Sequence, residues 1–169
     1  MSTKTRAASP VSTATSNAWM AGAGGGFVGS IAFGLIMMYV IPAPLLEIVI
    51  PAMYGIEGPA LLAGWAIHQF HGVVLGLAYV ALIRAMPERV RELARDRTGA
   101  LGLAVGYGVL TTVGLAVLVM PVWLGVVGFA GAPPFPNVSY PGTLLSLLGH
   151  VVYAIPVALA FALSASSST

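Results

Sequence analysis

The sequence predicts an all-α protein: a polytopic membrane four-helix bundle built from two parallel two-helix repeats. Three observations predict it. The chain is 58% apolar and 7% charged, with mean hydropathy +0.94, whereas soluble domains are roughly 45–50% apolar and about 25% charged. Seven basic and five acidic side chains cannot coat a soluble domain of 169 residues. Four uncharged apolar stretches each have the roughly 20 residues a bilayer requires. Finally, each half follows one order: a glycine-rich span, a terminal proline, an apolar loop, a proline, then a span with a histidine nine residues after that proline.

Residues 1–17, rich in Ser, Thr and Ala, read as a disordered cytoplasmic tail. The first repeat covers 18–83. Its first span is expected at about 22–41, a stretch longer than the 7–15 apolar residues of a signal peptide and so expected to be retained. Two small-residue stripes run along it, Gly22, Gly26, Ser30, Gly34 and Gly25, Gly29; such spacing lets helix backbones touch in lipid. Pro42 and Pro44 close it. Residues 43–59 carry Glu47 and Glu57 among apolar residues and, broken by Pro51 and Gly55, read as a short interfacial helix or re-entrant turn. The second span is expected at about 60–83.

Residues 84–97, RAMPERVRELARDR, form the one strongly charged stretch. A short surface helix is expected over Glu88 to Arg95. The second repeat, 98–163, places spans at about 98–121, ended by Pro121, and about 143–163, with Pro156 predicting a kink. Residues 164–169 are a polar tail. With four spans, all seven basic residues fall on one side, which the positive-inside rule assigns to the cytoplasm. Both termini are then cytoplasmic in a plasma-membrane protein. Trp65, Trp123, Tyr54 and Tyr140 would form an outer aromatic belt.

The repeat is weak in identity. Gly29, Val40 and Pro42 match Gly108, Val119 and Pro121; Pro59, Leu62 and His68 match Pro141, Leu144 and His150. Entry from the same side makes it the parallel kind, with its axis along the membrane normal. Gly64, His68, Gly72 and Gly76 line one face of the second span, and Ser146, His150, Ala154 and Ala158 one face of the fourth. These stripes are expected to meet at the axis, with Gly29 and Gly108 packing beside them.

Histidine inside a span is costly and faces the bundle interior. His68 and His150 lie at matching depth, roughly 12 Å below the outer edge at 1.5 Å per residue. Three uses are open. The first is a polar clasp, each ring bonding a hydroxyl, a carbonyl or the other ring, with Ser146, Tyr153 and Gln69 as partners. The second is ligation of a b-type haem; no metal site is assigned, since no Cys, Asp or third His stands beside the pair except His71. The third is a proton or ion path through His71, whose repeat counterpart is Tyr153, with Glu47 or Glu57 folding back.

The absence of cysteine excludes disulfides and thiolate metal sites. Asn137-Val138-Ser139 fits a glycosylation sequon on the outer side, close to the fourth span. No nucleic-acid partner is implied, because the basic residues follow the topology.

The runs IPAMYGIEGPALLAGWAIHQFHGVVLGLAY, VMPVWLGVVGF with PPFPN, and LLGHVVYAIPVALAF resemble an uncharacterised family of small four-span haloarchaeal membrane proteins, to some of which the label histidine kinase is attached. The resemblance covers most of residues 20–163 and implies location and architecture only. A kinase needs an ATP-binding domain, and the largest cytoplasmic segment here is about fourteen residues. A non-enzymatic scaffold, accessory subunit or lipid-organising module is expected, in contact with the bilayer and as a homo-oligomer or part of a larger membrane complex. A small-solute transporter or channel, and a haem- or quinone-linked electron carrier using His68 and His150, are the alternatives.

Overall fold

The computed structural model describes residues 10–166. Among these residues it is all-helical, and four helices are long and apolar enough to cross a membrane: Asn17–Tyr39, Leu61–Ala85, Arg97–Val126 and Gly142–Ala165. We call them spans one to four. Four such helices in one chain make this a multi-pass membrane protein, with an arginine end (84–97) and a proline-rich end (42–59 and 127–141).

Helix α1 runs from Pro10 to Tyr39. It starts earlier than expected, since proline's fixed φ suits a first helical turn; residues 1–9 of the expected tail lie outside the described residues. After Pro44 a π-helical turn, Leu45–Val49, leads into the short helix α2, Ile50–Ala52. Leu46, Ile50 and Pro51 are buried while Glu47 and Glu57 are exposed, so this segment folds down onto the bundle by its apolar side. Span two is α3, Leu61–Ala85. Met86, preceding Pro87, is extended at φ −78° and ψ 158°, as a pre-proline residue should be.

Helix α4, Glu88–Arg95, then turns along the arginine end. Its acid lies in the first turn and Arg95 in the last, both matching the helix dipole. Arg91 and Arg95 both bond the Glu88 carboxylate, and the hydrogen bond from Arg91 holds that carboxyl below the usual range. This local support is present above the ordinary carboxylate pKa and is lost as pH falls through the lowered one. Asp96 makes the corner: its Oδ2 accepts from Gly99 N at 2.8 Å and caps the next helix.

Span three is α5 (Arg97–Thr111), a π-helical stretch (Thr112–Val119) and α6 (Met120–Val126) in one run. Pro121 does not end it, contrary to expectation. A proline inside a helix leaves acceptors one turn back without a donor. Here those acceptors are served from the loop: Asn137 N donates to Val117 O at 3.0 Å, and Asn137 Nδ2 to Ala116 O at 3.2 Å. The helix therefore carries on for five residues past the proline, to Val126. Span four is α7, Gly142–Ser166, with Pro156 inside it; its helix absorbs the start of the expected polar tail, and 167–169 lie outside the described residues.

The two stripes of span one serve two neighbours. A methyl on Gly22, Gly26 or Gly34 would strike span two, at the Gly76 carbonyl, the Gly72 carbonyl and the Trp65 ring respectively. A methyl on Gly25 or Gly29 would strike span four, at Val157 Cα or Pro156 O and at the Tyr153 carbonyl. Phe33, next in that row, lies against Gly149. Span one thus occupies the middle. The stripes of spans two and four do not meet face to face as expected, because each is packed on span one. Span three sits on span four, where Gly108 admits Val151. Spans two and three meet through Tyr79 and Tyr107, whose ring centres lie 5.1 Å apart.

Candidate functional site

The candidate site grows out of the glycine contacts, because they bring backbone carbonyls within reach of side chains on the next helix. Where Gly72 meets span one, Ser30 is fully buried and His68 is 7% exposed. His68 Nε2 lies 2.9 Å from Ser30 O and donates to it, since a carbonyl only accepts. One residue on, Gln69 Oε1 lies 2.5 Å from Ser30 Oγ, and Gln69 Nε2 donates to Phe27 O at 3.4 Å. Ser30 Oγ also lies 2.9 Å from Phe27 O, and its single hydrogen serves one acceptor at a time. His68, Gln69, Ser30 and Phe27 O form one polar clasp between spans one and two. Ser30 appeared in sequence only as a packing residue; nothing in its spacing distinguished the two roles.

His150 is 8% exposed and also faces inward, but it bonds within its own helix. Its Nδ1 donates to Ser146 O at 2.8 Å, with Ser146 Oγ at 3.4 Å. The two imidazoles therefore carry their protons on opposite nitrogens. Between them stands Phe33, its ring centre 5.7 Å from His68 and 4.7 Å from His150. A b-type haem between the two imidazoles would need the space this phenyl ring fills. The Nε2 of His68, which an axial ligand would offer, is already a donor to Ser30. Trp65 packs half-buried beside His68, ring centres 6.1 Å apart, over Gly34.

His71 lies apart from this clasp. Its Nε2 makes a 2.6 Å bond with Tyr54 OH near the proline-rich end. The expected acidic partners do not fold back: Glu47 and Glu57 are exposed. A cleft near that end is lined by Met37, Met38, Pro42, Leu46, Glu47 and Leu61 among others, and no histidine lines it.

Deeper toward the arginine end, tyrosines replace histidines. Tyr153 OH donates to Gly72 O at 2.7 Å, passing over Gly29 to tie span four to span two. Tyr107 OH donates to Leu75 O at 2.7 Å, tying span three to span two. Tyr79 is 1% exposed, and among the described residues its hydroxyl has no hydrogen-bond partner. Tyr79 and Tyr107 were not singled out in the sequence; aromatic residues in an apolar span look like packing until their hydroxyls are placed.

No family model, curated protein or solved structure matches the chain. Of the expected packing glycines, Gly72 and Gly76 meet span one, Gly29 meets span four and Gly108 meets Val151, while Gly64 seats the Leu46 carbonyl of the π turn. Ala154 and Ala158 are fully buried. Asn137, read as a glycosylation acceptor, has its amide turned onto span three. Among the described residues no group of three His, Asp or Glu is placed to hold a metal ion. The placed polar contacts of His68, Gln69, Ser30, His150, Tyr153 and Tyr107 each join one helix to another or to itself, so the chemistry of this cluster is hydrogen bonding that holds helices together.

Proposed function

We propose that this protein is a non-enzymatic membrane scaffold or accessory subunit, whose working surface is the lipid-facing side of span three. One observation carries this reading. Only 22% of the apolar stretch of span three is buried inside the bundle, against 44% for span one. On its open side a methyl group at Gly102, Gly106 or Gly114 would meet nothing within 4 Å. Glycines that pack nothing at home lower helix stability by about 1 kcal/mol each relative to alanine, and glycines four apart suit close approach of another helix in lipid. The partner is a second copy of the chain or another membrane subunit.

The interior supports this reading over the alternatives. The histidines are engaged by carbonyls and separated by Phe33, which leaves haem ligation without support. The cleft near Glu47 does not include His71, which leaves a solute path without support. The parallel two-helix repeat belongs to the same proposal. It is supported by the packing of span one on span two and of span three on span four, whereas the contact of span one with span four has a much looser counterpart between spans two and three. The cytoplasmic placement of the arginine end, with both termini, is proposed on the charge distribution. The likeness to haloarchaeal four-span proteins agrees in location and brings no activity with it.

Gly106→Leu tests the function. The site is open and leucine is a better helix former than glycine, so the isolated protein should melt no lower than the parent and up to about 4 °C higher, roughly 1 kcal/mol. Crosslinking in native membranes should lose the adducts seen with the parent chain. If the variant retains every adduct, span three is not the working surface.

A further inference from the structure

We propose that the arginine end binds the phosphate headgroup of anionic phospholipid, through Arg84, Arg89 and Arg97. The cluster is at the depth where headgroups lie: Arg84 is one residue from the end of span two, and Arg97 opens span three. Residues 84–97 hold five arginines against Glu88, Glu92 and Asp96. The acids do not neutralise the three named arginines. Among the described residues Glu88 is bonded by Arg91 and Arg95, Asp96 accepts from the backbone at Gly99, and Glu92 points outward, exposed, in no ion pair. Arg84, Arg89 and Arg97 are exposed and make no ion pair with any described residue.

The surroundings suit a lipid rather than a dissolved anion. Arg84 stands over the ring of Trp19, 5.9 Å from its centre, an aromatic of the kind that settles at a membrane interface. Leu93, on α4 among the arginines, is 51% exposed; beside a bilayer it meets acyl chain, and in water it has nothing to cover it. Helix α4 is held against the bundle by Ala94, which is fully buried, so the arginines project from a fixed platform. All five bases are arginine, whose planar fork matches two phosphate oxygens at once. This inference stands apart from the role proposed for span three, and a different measurement decides it.

A basic residue near a membrane surface gains roughly fivefold in affinity for anionic lipid, so three give on the order of a hundredfold. The test is native mass spectrometry of the full chain in neutral detergent, titrated with phosphatidylglycerol or phosphatidylcholine of the same acyl chains. The parent protein should prefer phosphatidylglycerol by at least about tenfold. Arg89→Gln, at an exposed position that makes no ion pair with any described residue, should fold normally and lose roughly fivefold; the Arg84→Gln/Arg89→Gln/Arg97→Gln variant should bind the two lipids equally. Equal binding by the parent, or an undiminished preference in the triple variant, overturns the proposal. So does displacement of the lipid by millimolar inorganic phosphate, which would make the site one for a soluble anion.

Discussion

His68 and His150 are equivalent in sequence and unequal in place. His68 spans two helices, donating to Ser30 O at 2.9 Å, whereas His150 donates to the carbonyl four residues back in its own helix. Interhelical bonds of this kind in membranes average about 0.6 kcal/mol and reach about 1.7; an intrahelical bond joins nothing that the helix does not already join. Both rings pack on Phe33, so the packing loss on truncation is similar. We therefore expect His68→Ala to destabilise the protein by about 1 kcal/mol more than His150→Ala, measured as the shift in unfolding midpoint in mild detergent. Equal shifts would mean the rings do the same work and would favour the strict two-repeat symmetry over the clasp. The histidines' burial was legible, since an imidazole in an apolar span must face inward. Their partners were not: the acceptor of His68 is a backbone carbonyl, and a carbonyl has no letter in the sequence.

At the scale of elements, span three shows how a helix outlives its proline. Pro121 has no N–H, and the π winding of Thr112–Val119 moves the unserved acceptors to Ala116 and Val117. Asn137 reaches both, from a loop sixteen residues beyond the proline. The side-chain bond should be worth about 1 kcal/mol, and it should matter only while the proline is present. We expect Asn137→Ala to lower stability by about 1 kcal/mol in the parent chain and by less than half of that in a Pro121→Ala background, where an N–H returns to the helix. Additive losses in the double variant would show that the two residues are independent. The sequence invited one error here, a helix end at Pro121. It follows from reading residues singly, because a π stretch has no compositional mark and the residue that repairs it is distant.

At the scale of the molecule, the four spans were legible because hydropathy over 18 or more residues is a strong signal. The neighbour relations were half legible. Span one carries small residues on two faces, Gly22, Gly26, Ser30, Gly34 and Gly25, Gly29, and a helix with two such faces belongs between two others. The histidine stripes drew attention to spans two and four instead, yet a small residue says that something comes close and never says what. Orientation is the remaining property of the whole, and we propose it on charge: the arginine end has five bases to three acids, while the opposite end carries only Glu47 and Glu57. Positive charge stays on the cytoplasmic side during insertion. The chain contains no cysteine, so single replacements can be labelled without background. Glu57 and Glu92 are exposed at opposite ends of the bundle, and replacing either leaves every arginine in place. An impermeant maleimide should label Glu57→Cys on intact cells and Glu92→Cys only after the membrane is opened. The reverse pattern would turn the bundle over, placing the arginines outside and the proline-rich loops in the cytoplasm.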